Sequence, residues 1–171
     1  MEIILTEGCI CDSLEIDGKE SSECTSEELI YIIKKILDKE KSKFNLIKLL
    51  GEIIEIFGDY ESDEHCAYCQ MYNCSDCDYG KTVGDVKTDK YGSIVMTTIG
   101  NDETIAVNNK DINDFDEDEI RDIIIEIVNS GEESANLIWT LRGLIENYGK
   151  YKFCYHCDEC GDNVVEYKLK I

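Results

Sequence analysis

Asn45-Leu46-Ile47-Lys48-Leu49-Leu50-Gly51-Glu52-Ile53-Ile54-Glu55-Ile56-Phe57-Gly58-Asp59-Tyr60 returns ninety-one residues later as Asn136-Leu137-Ile138-Trp139-Thr140-Leu141-Arg142-Gly143-Leu144-Ile145-Glu146-Asn147-Tyr148-Gly149-Lys150-Tyr151. The same offset carries outward without a gap, aligning residues 2–69 with 93–160, and 18 of the 68 positions are identical. Upstream, Ile3-Ile4-Leu5-Thr6 falls on Ile94-Val95-Met96-Thr97, Leu14 and Ile16 on Ile105 and Val107, and Ile32, Ile33 and Ile36 on Ile123, Ile124 and Ile127. Downstream, His65-Cys66-x-x-Cys69 falls on His156-Cys157-x-x-Cys160. A fixed period of this length reads as a tandem duplication. It divides the chain into two expected domains, 1–91 and 92–171.

Each copy reads in the same order. Short β-rich runs at 2–6 and 93–99 precede second strands near 13–17 and 104–108, with turn residues between. Thr25-x-x-Glu28 and Asp116-x-x-Glu119 are capping-box signatures, in which a side-chain oxygen and a carboxylate satisfy the orphan amides of a helix start. The helices that follow run to about 39 and 129. Polar linkers lead into second helices near 44–57 and 135–148, where Leu46, Ile47, Leu50, Ile53, Ile54 and Phe57 keep the spacing of one buried face. Gly58 and Gly149 stand where a left-handed C-cap is expected. A strand carrying the cysteine pair closes each copy. The expected fold is therefore α+β, a β-β-α-α-β module occurring twice, each copy with a zinc-knuckle-like C-x-x-C. The second copy ends in a hairpin whose alternating Val165, Tyr167, Leu169 and Ile171 return antiparallel to Tyr151–His156. The segment 65–91 of the first copy has no strong secondary pattern.

With 171 residues, the chain is long enough to bury a core without disulfide staples. Its net charge is −21, from 38 acidic against 17 basic side chains, and the first copy holds 21 of the acids and 10 of the bases. The acidity is thus no tail. Such a field excludes a nucleic-acid binder that works through a basic groove, and it disfavours docking on anionic lipid. Hydrophobic residues make up 43%, too many for an intrinsically disordered chain. No signal-peptide pattern opens the sequence and no run approaches a membrane span, so a cytoplasmic protein is expected. The absence of proline, with abundant Ile, Lys, Asn and Asp, suits an AT-rich genome such as that of many phages and low-GC bacteria.

Ten cysteines in a reducing compartment point to metal ligands or redox centres before disulfides. Cys66-x2-Cys69-x4-Cys74-x2-Cys77 can present four thiolates to one zinc ion in a closed, structural site. A second ion is expected at Cys154, His156, Cys157 and Cys160. Cys9 and Cys11 compete with Cys154 and His156 for that role, and in the second copy Gly100 and Asp102 take their places. His65 reads as orienting the knuckle, and Cys24 as a plain small residue near a helix start. Redox C-x-x-C chemistry and iron–sulfur ligation are the alternatives, but the helix-start context of the first and the ferredoxin spacing of the second are both missing.

No phosphate-binding glycine loop, dinucleotide fingerprint or nucleophile elbow occurs, and the two histidines both adjoin expected metal cysteines, so no enzyme is expected. The acidic run Asp111–Glu119 lacks the Gly and Glu of a calcium loop and reads as acid gathered at a helix start. A strongly negative surface steers the protein toward a basic partner. In its acidity, its knuckles at Cys66/Cys69/Cys74/Cys77 and Cys157/Cys160, and its acidic segments Asp59–Glu64 and Asp111–Glu119, the chain resembles acidic zinc-containing anti-CRISPR proteins of phages and mobile elements that inhibit Cas9 (type II). That resemblance implies binding to the effector protein and interference with DNA loading, with no enzymatic step. A zinc-binding adaptor with another protein partner, or a thiol redox protein, are the other readings.

Overall fold

The computed structural model describes residues 1–8, 12–62, 81–99, 102–130, 134–157 and 161–171, with the backbone alone at 60–62, 81 and 82. Ten strands and four helices occur in these stretches. Their order is β1 (Glu2–Glu7), β2 (Ser13–Ile16), β3 (Lys19–Glu20), α1 (Ser26–Leu37), α2 (Lys43–Phe57), β4 (Asp59–Ser62), β5 (Lys81–Thr88), β6 (Gly92–Ile99), β7 (Asp102–Val107), β8 (Lys110–Asp111), α3 (Glu117–Ser130), α4 (Ser134–Tyr148), β9 (Lys150–His156) and β10 (Asn163–Lys170). The fold is α+β, with two antiparallel five-stranded sheets ordered β3-β2-β1-β10-β9 and β4-β5-β6-β7-β8. Among the described residues no helix is long and apolar enough to cross a membrane.

The compact units are not the two sequence copies. One, the terminal unit, joins Met1–Lys39 to Glu132–Ile171; the other, the central unit, is the continuous stretch Glu40–Gly131. The expected boundary at 91/92 falls inside a hairpin, because β5 and β6 pair along their whole length from Lys81↔Ile99 to Thr88↔Gly92. Residues 89–91 are too short a connection for anything but an antiparallel neighbour. The end of the first copy and the start of the second must therefore share one sheet. Gly92 makes the turn possible: its φ is +66°, and a Cβ there would lie 2.6 Å from Asn108 Oδ1.

In the terminal unit, β1 pairs with both β2 and β10. Ile3, Leu5, Leu14 and Ile16 turn to one face, beneath Leu29, Ile32, Ile33, Ile36 and Leu37 of α1 and Leu137, Leu141, Leu144 and Ile145 of α4, and all are buried. α1 packs on α4, and α4 on β1 and β10. The central unit repeats the plan: α2 packs on α3, both lie on β5, and Leu46, Leu50, Ile53, Ile54, Ile120, Ile123, Ile124 and Ile127 cover Val86, Ile94, Met96, Ile105 and Val107. The two first-half helices thus sit in different units. Each amphipathic helix needs an apolar sheet face, and strand pairing decides which one it finds.

Local chemistry matches at the ninety-one-residue offset. Asp17 and Gly18 (φ 50° and 79°) turn β2 into β3, and Asn108 and Asn109 (φ 49° and 66°) turn β7 into β8, as a two-residue hairpin with positive φ at both central positions requires. Asp17 Oδ1 accepts from the Glu2 amide at 2.7 Å, and Asn108 Oδ1 from the Ser93 amide at 3.2 Å. Both capping boxes form: Thr25 accepts from the Glu28 amide at 3.2 Å and Glu28 from the Thr25 amide at 2.8 Å, while Asp116 and Glu119 exchange the same pair at 2.8 and 2.9 Å.

Three local expectations change. The glycines closing α2 and α4 are not left-handed: Gly58 is extended (φ −86°, ψ 154°), and Gly149 has no positive φ. What demands glycine is a carbonyl, since a Cβ would meet Ile54 O at 2.6 Å or Ile145 O at 2.4 Å as the chain leaves the helix straight into a strand. The segment 65–91 contains a full strand, β5. Each module also gains the two-residue strands β3 and β8, which alternation over two residues cannot reveal.

Candidate functional site

Among the described residues β9 is the edge strand of the terminal sheet, and it is exposed along its entire length. Its pairing with β10 runs Lys150↔Lys168, Tyr151↔Tyr167, Lys152↔Glu166 and Phe153↔Val165, then shifts to Tyr155↔Val164 and His156↔Asn163. Cys154 is the extra residue of a β-bulge. Such a bulge breaks the two-residue alternation, so Phe153 and His156 share a face, with ring centroids 4.9 Å apart. The strand ends in a tight loop. The Cys157 amide donates to Asp162 O and the Gly161 amide to Cys157 O, both at 2.8 Å, and Gly161 takes φ +79° with open space around it.

Of the expected ligands, Cys154, His156 and Cys157 lie on this hairpin. Cys66, Cys69, Cys74, Cys77 and Cys160 lie outside the described residues, as do His65, Cys9 and Cys11. Cys157 is half-buried in the loop; the Cys154 thiol is exposed and points to Lys152 O at 3.9 Å. Among the described residues no three His, Cys, Asp or Glu side chains converge into a group that could hold a metal ion, Cys154, His156 and Cys157 included.

Cys24 is half-buried, its thiol 3.8 Å from Glu20 O. Burial pushes the thiol pKa up, Lys19 opposes this, and Glu28 and Glu23 add to it, so the thiolate form is disfavoured. This agrees with a plain small residue.

Arg142 on α4 was not singled out by the sequence pattern. Its Nη2 donates to Glu7 and Asp12, both at 3.2 Å, and its guanidinium lies 5.0 Å from the Trp139 ring centroid. Asp12 also accepts from the Gly8 amide at 3.0 Å. That amide, and then Arg142, hold the Asp12 carboxyl below its ordinary range. The cluster clamps both flanks of residues 9–11. Its one available signal was a cation in the buried-face helix at the position where the other copy has Gly51.

The acidic run at Asp111–Glu119 serves the helix start. Asp111 accepts from the Asn113 amide at 2.8 Å, which lowers its pKa, and Asp116 and Glu119 form the capping box. Asp118 pairs with Arg121. By compact unit, the acidity is uneven. Residues 40–131 hold 21 acidic and 8 basic side chains (−13), whereas 1–39 with 132–171 hold 17 and 9 (−8).

No family model matches the chain, and no curated protein and no solved structure resembles it significantly.

Proposed function

We propose that the chain is an acidic, zinc-stabilised binding protein encoded by a phage or mobile element, a tandem duplicate that occupies the basic nucleic-acid channel of a defence enzyme such as Cas9 and blocks DNA loading. The observation that carries this reading is the −13 charge of the central unit, 17 of whose 21 acids lie in the described residues. Its acids at the start of α3 are held by capping hydrogen bonds, so they can meet a basic groove without first losing the freedom of a flexible tail. The equal strand orders of the two sheets support the duplication. The C-x-x-C spacing of Cys157 and Cys160 supports thiolate ligation of zinc there. Binding that metal would stabilise the folded hairpin.

A DNA-cleavage assay with purified guide-loaded Cas9 tests the function: protein added before DNA is expected to suppress cleavage, and protein added after DNA to act weakly. Unchanged cleavage at large molar excess refutes this target. Elemental analysis tests the metal, with two zinc ions per chain expected and a zinc-free, fully folded protein counting against it.

A further inference from the structure

Four lysines gather on the helix-free side of the β9–β10 ribbon. Leu169 and Tyr167 pair with the buried Ile3 and Leu5, so Lys170, Lys168 and Glu166 point to the face away from α1 and α4, and the register places Lys150 and Lys152 beside them. A cavity of about 620 Å³ at this edge is lined by these four lysines and Glu166, and reaches round to Tyr148, Tyr151 and Leu169 on the helix side. Its size falls within the roughly 300–1,000 Å³ of small-molecule sites. Glu2 bridges Lys168 at 3.0 Å and Lys170 at 3.1 Å. Lys150 and Lys152 have no ion-pair partner among the described residues. The chain also contains its own comparison. Ninety-one residues earlier, Asp59 and Glu61 stand at the positions of Lys150 and Lys152, and in the matching sheet register Asp85 stands at that of Lys168. Three of the four lysine positions therefore carry acids in the central unit, while Lys87 stands at that of Lys170, and a solubilising edge would not need that reversal.

We infer that this lysine face is a binding site for a small polyphosphate-bearing ligand, of the class of a nucleoside triphosphate. The net charge of −21 does not forbid it. Charges farther than about 8 Å are largely screened at physiological salt, so the ligand responds to the local ammonium groups. A long nucleic acid extends beyond the patch and meets the acidic remainder. The lysines supply charge-assisted hydrogen bonds to phosphate oxygens, and Glu2 acts as the internal counter-ion that the ligand displaces.

Isothermal titration of the full-length protein with ATP, and separately with inorganic tripolyphosphate, tests the proposal. Saturable 1:1 binding that weakens with added salt is expected from both, and tighter binding of ATP would show that the nucleoside contributes. Lys150→Asp with Lys152→Glu, residues this frame already accepts in the other unit, should weaken binding roughly tenfold or more, and Glu2→Gln should tighten it a few-fold. The Glu2 variant keeps the test alive if the double variant fails to fold. No binding of either probe at millimolar concentration overturns the proposal. So does binding that survives in the folded double variant, or equal affinity for a 20-nucleotide single strand.

Discussion

Replacing Gly149 separates two reasons for a glycine at a helix end. In a left-handed cap, Asn is nearly as good as Gly, because its short polar side chain tolerates positive φ. Here the backbone is not left-handed, and the conflict is one of space. A Cβ on Gly149 would stand 2.4 Å from Ile145 O, about 0.9 Å inside the roughly 3.3 Å at which carbon meets a carbonyl oxygen, with Tyr167 Cβ 3.3 Å away on the sheet side. That oxygen already accepts the Gly149 amide at 2.7 Å, so moving it strains the last hydrogen bond of α4. Overpacking of this kind costs about 1–3 kcal/mol. The hydrogen bond puts at risk about 1 kcal/mol more. The lower entropy of the unfolded Ala chain returns about 0.4–1 kcal/mol. Gly149→Ala and Gly149→Asn should therefore both destabilise by about 1–3 kcal/mol. Trp139, the only tryptophan, lies on the same helix, so its fluorescence during urea unfolding reports the terminal unit directly. Gly18→Asn, at φ +79° with open space around it, is the control and should be nearly neutral. If Gly149→Asn unfolds at the same urea concentration as the parent protein while Gly149→Ala does not, the close-approach argument is wrong.

Three further outcomes are expected. A protease site inserted at Asp89-Lys90, in the β5–β6 turn, should yield two fragments that co-elute on native size exclusion and part only in denaturant, since the terminal unit draws β1 from one fragment and β10 from the other; native separation would contradict the exchanged pairing. Thr25→Ala and Asp116→Ala should each cost about 1 kcal/mol by loss of the cap, read as lower urea midpoints, and two unchanged midpoints would show that the caps contribute nothing. Acid should unfold the protein below about pH 4. The Gly8 amide at Asp12, Lys90 at Asp122 and Lys168 at Glu2 lower those carboxyl pKa values in the folded state, so their contributions are complete above the unfolded values and vanish as pH falls through the folded ones. Glu55 runs the other way. Burial, then Glu103 and Glu52, raise its pKa, so its ionisation opposes folding as pH rises, and Glu55→Gln should raise the urea midpoint at pH 7 relative to pH 4. A midpoint that climbs steadily down to pH 2 would refute the carboxylate assignment.

The elements themselves were legible in the residues. Periodicity located all four helices to within about two residues at each end, and the Thr25/Glu28 and Asp116/Glu119 boxes formed as their spacing implies. These are local matters, decided by neighbours three or four positions away. The site was less legible. Cysteine spacing names candidate ligands, but whether Cys154, His156 and Cys157 face one another depends on a bulge that alternation cannot foresee. The lysine face was also hidden, because Lys150 and Lys152 are sixteen or more residues from Lys168 and Lys170 and meet them only across a strand pair.

The sequence by itself determined a repeated set of amphipathic pieces, their caps and their overall charge, because each rests on short-range periodicity or simple addition. Tertiary structure alone decided how those pieces combine. A three-residue turn forces β5 against β6, β10 then closes against β1, and each helix settles on whichever sheet face this pairing leaves apolar. The acidity that looks even between copies becomes −13 against −8 between units, since charge follows the partners each segment finds in space.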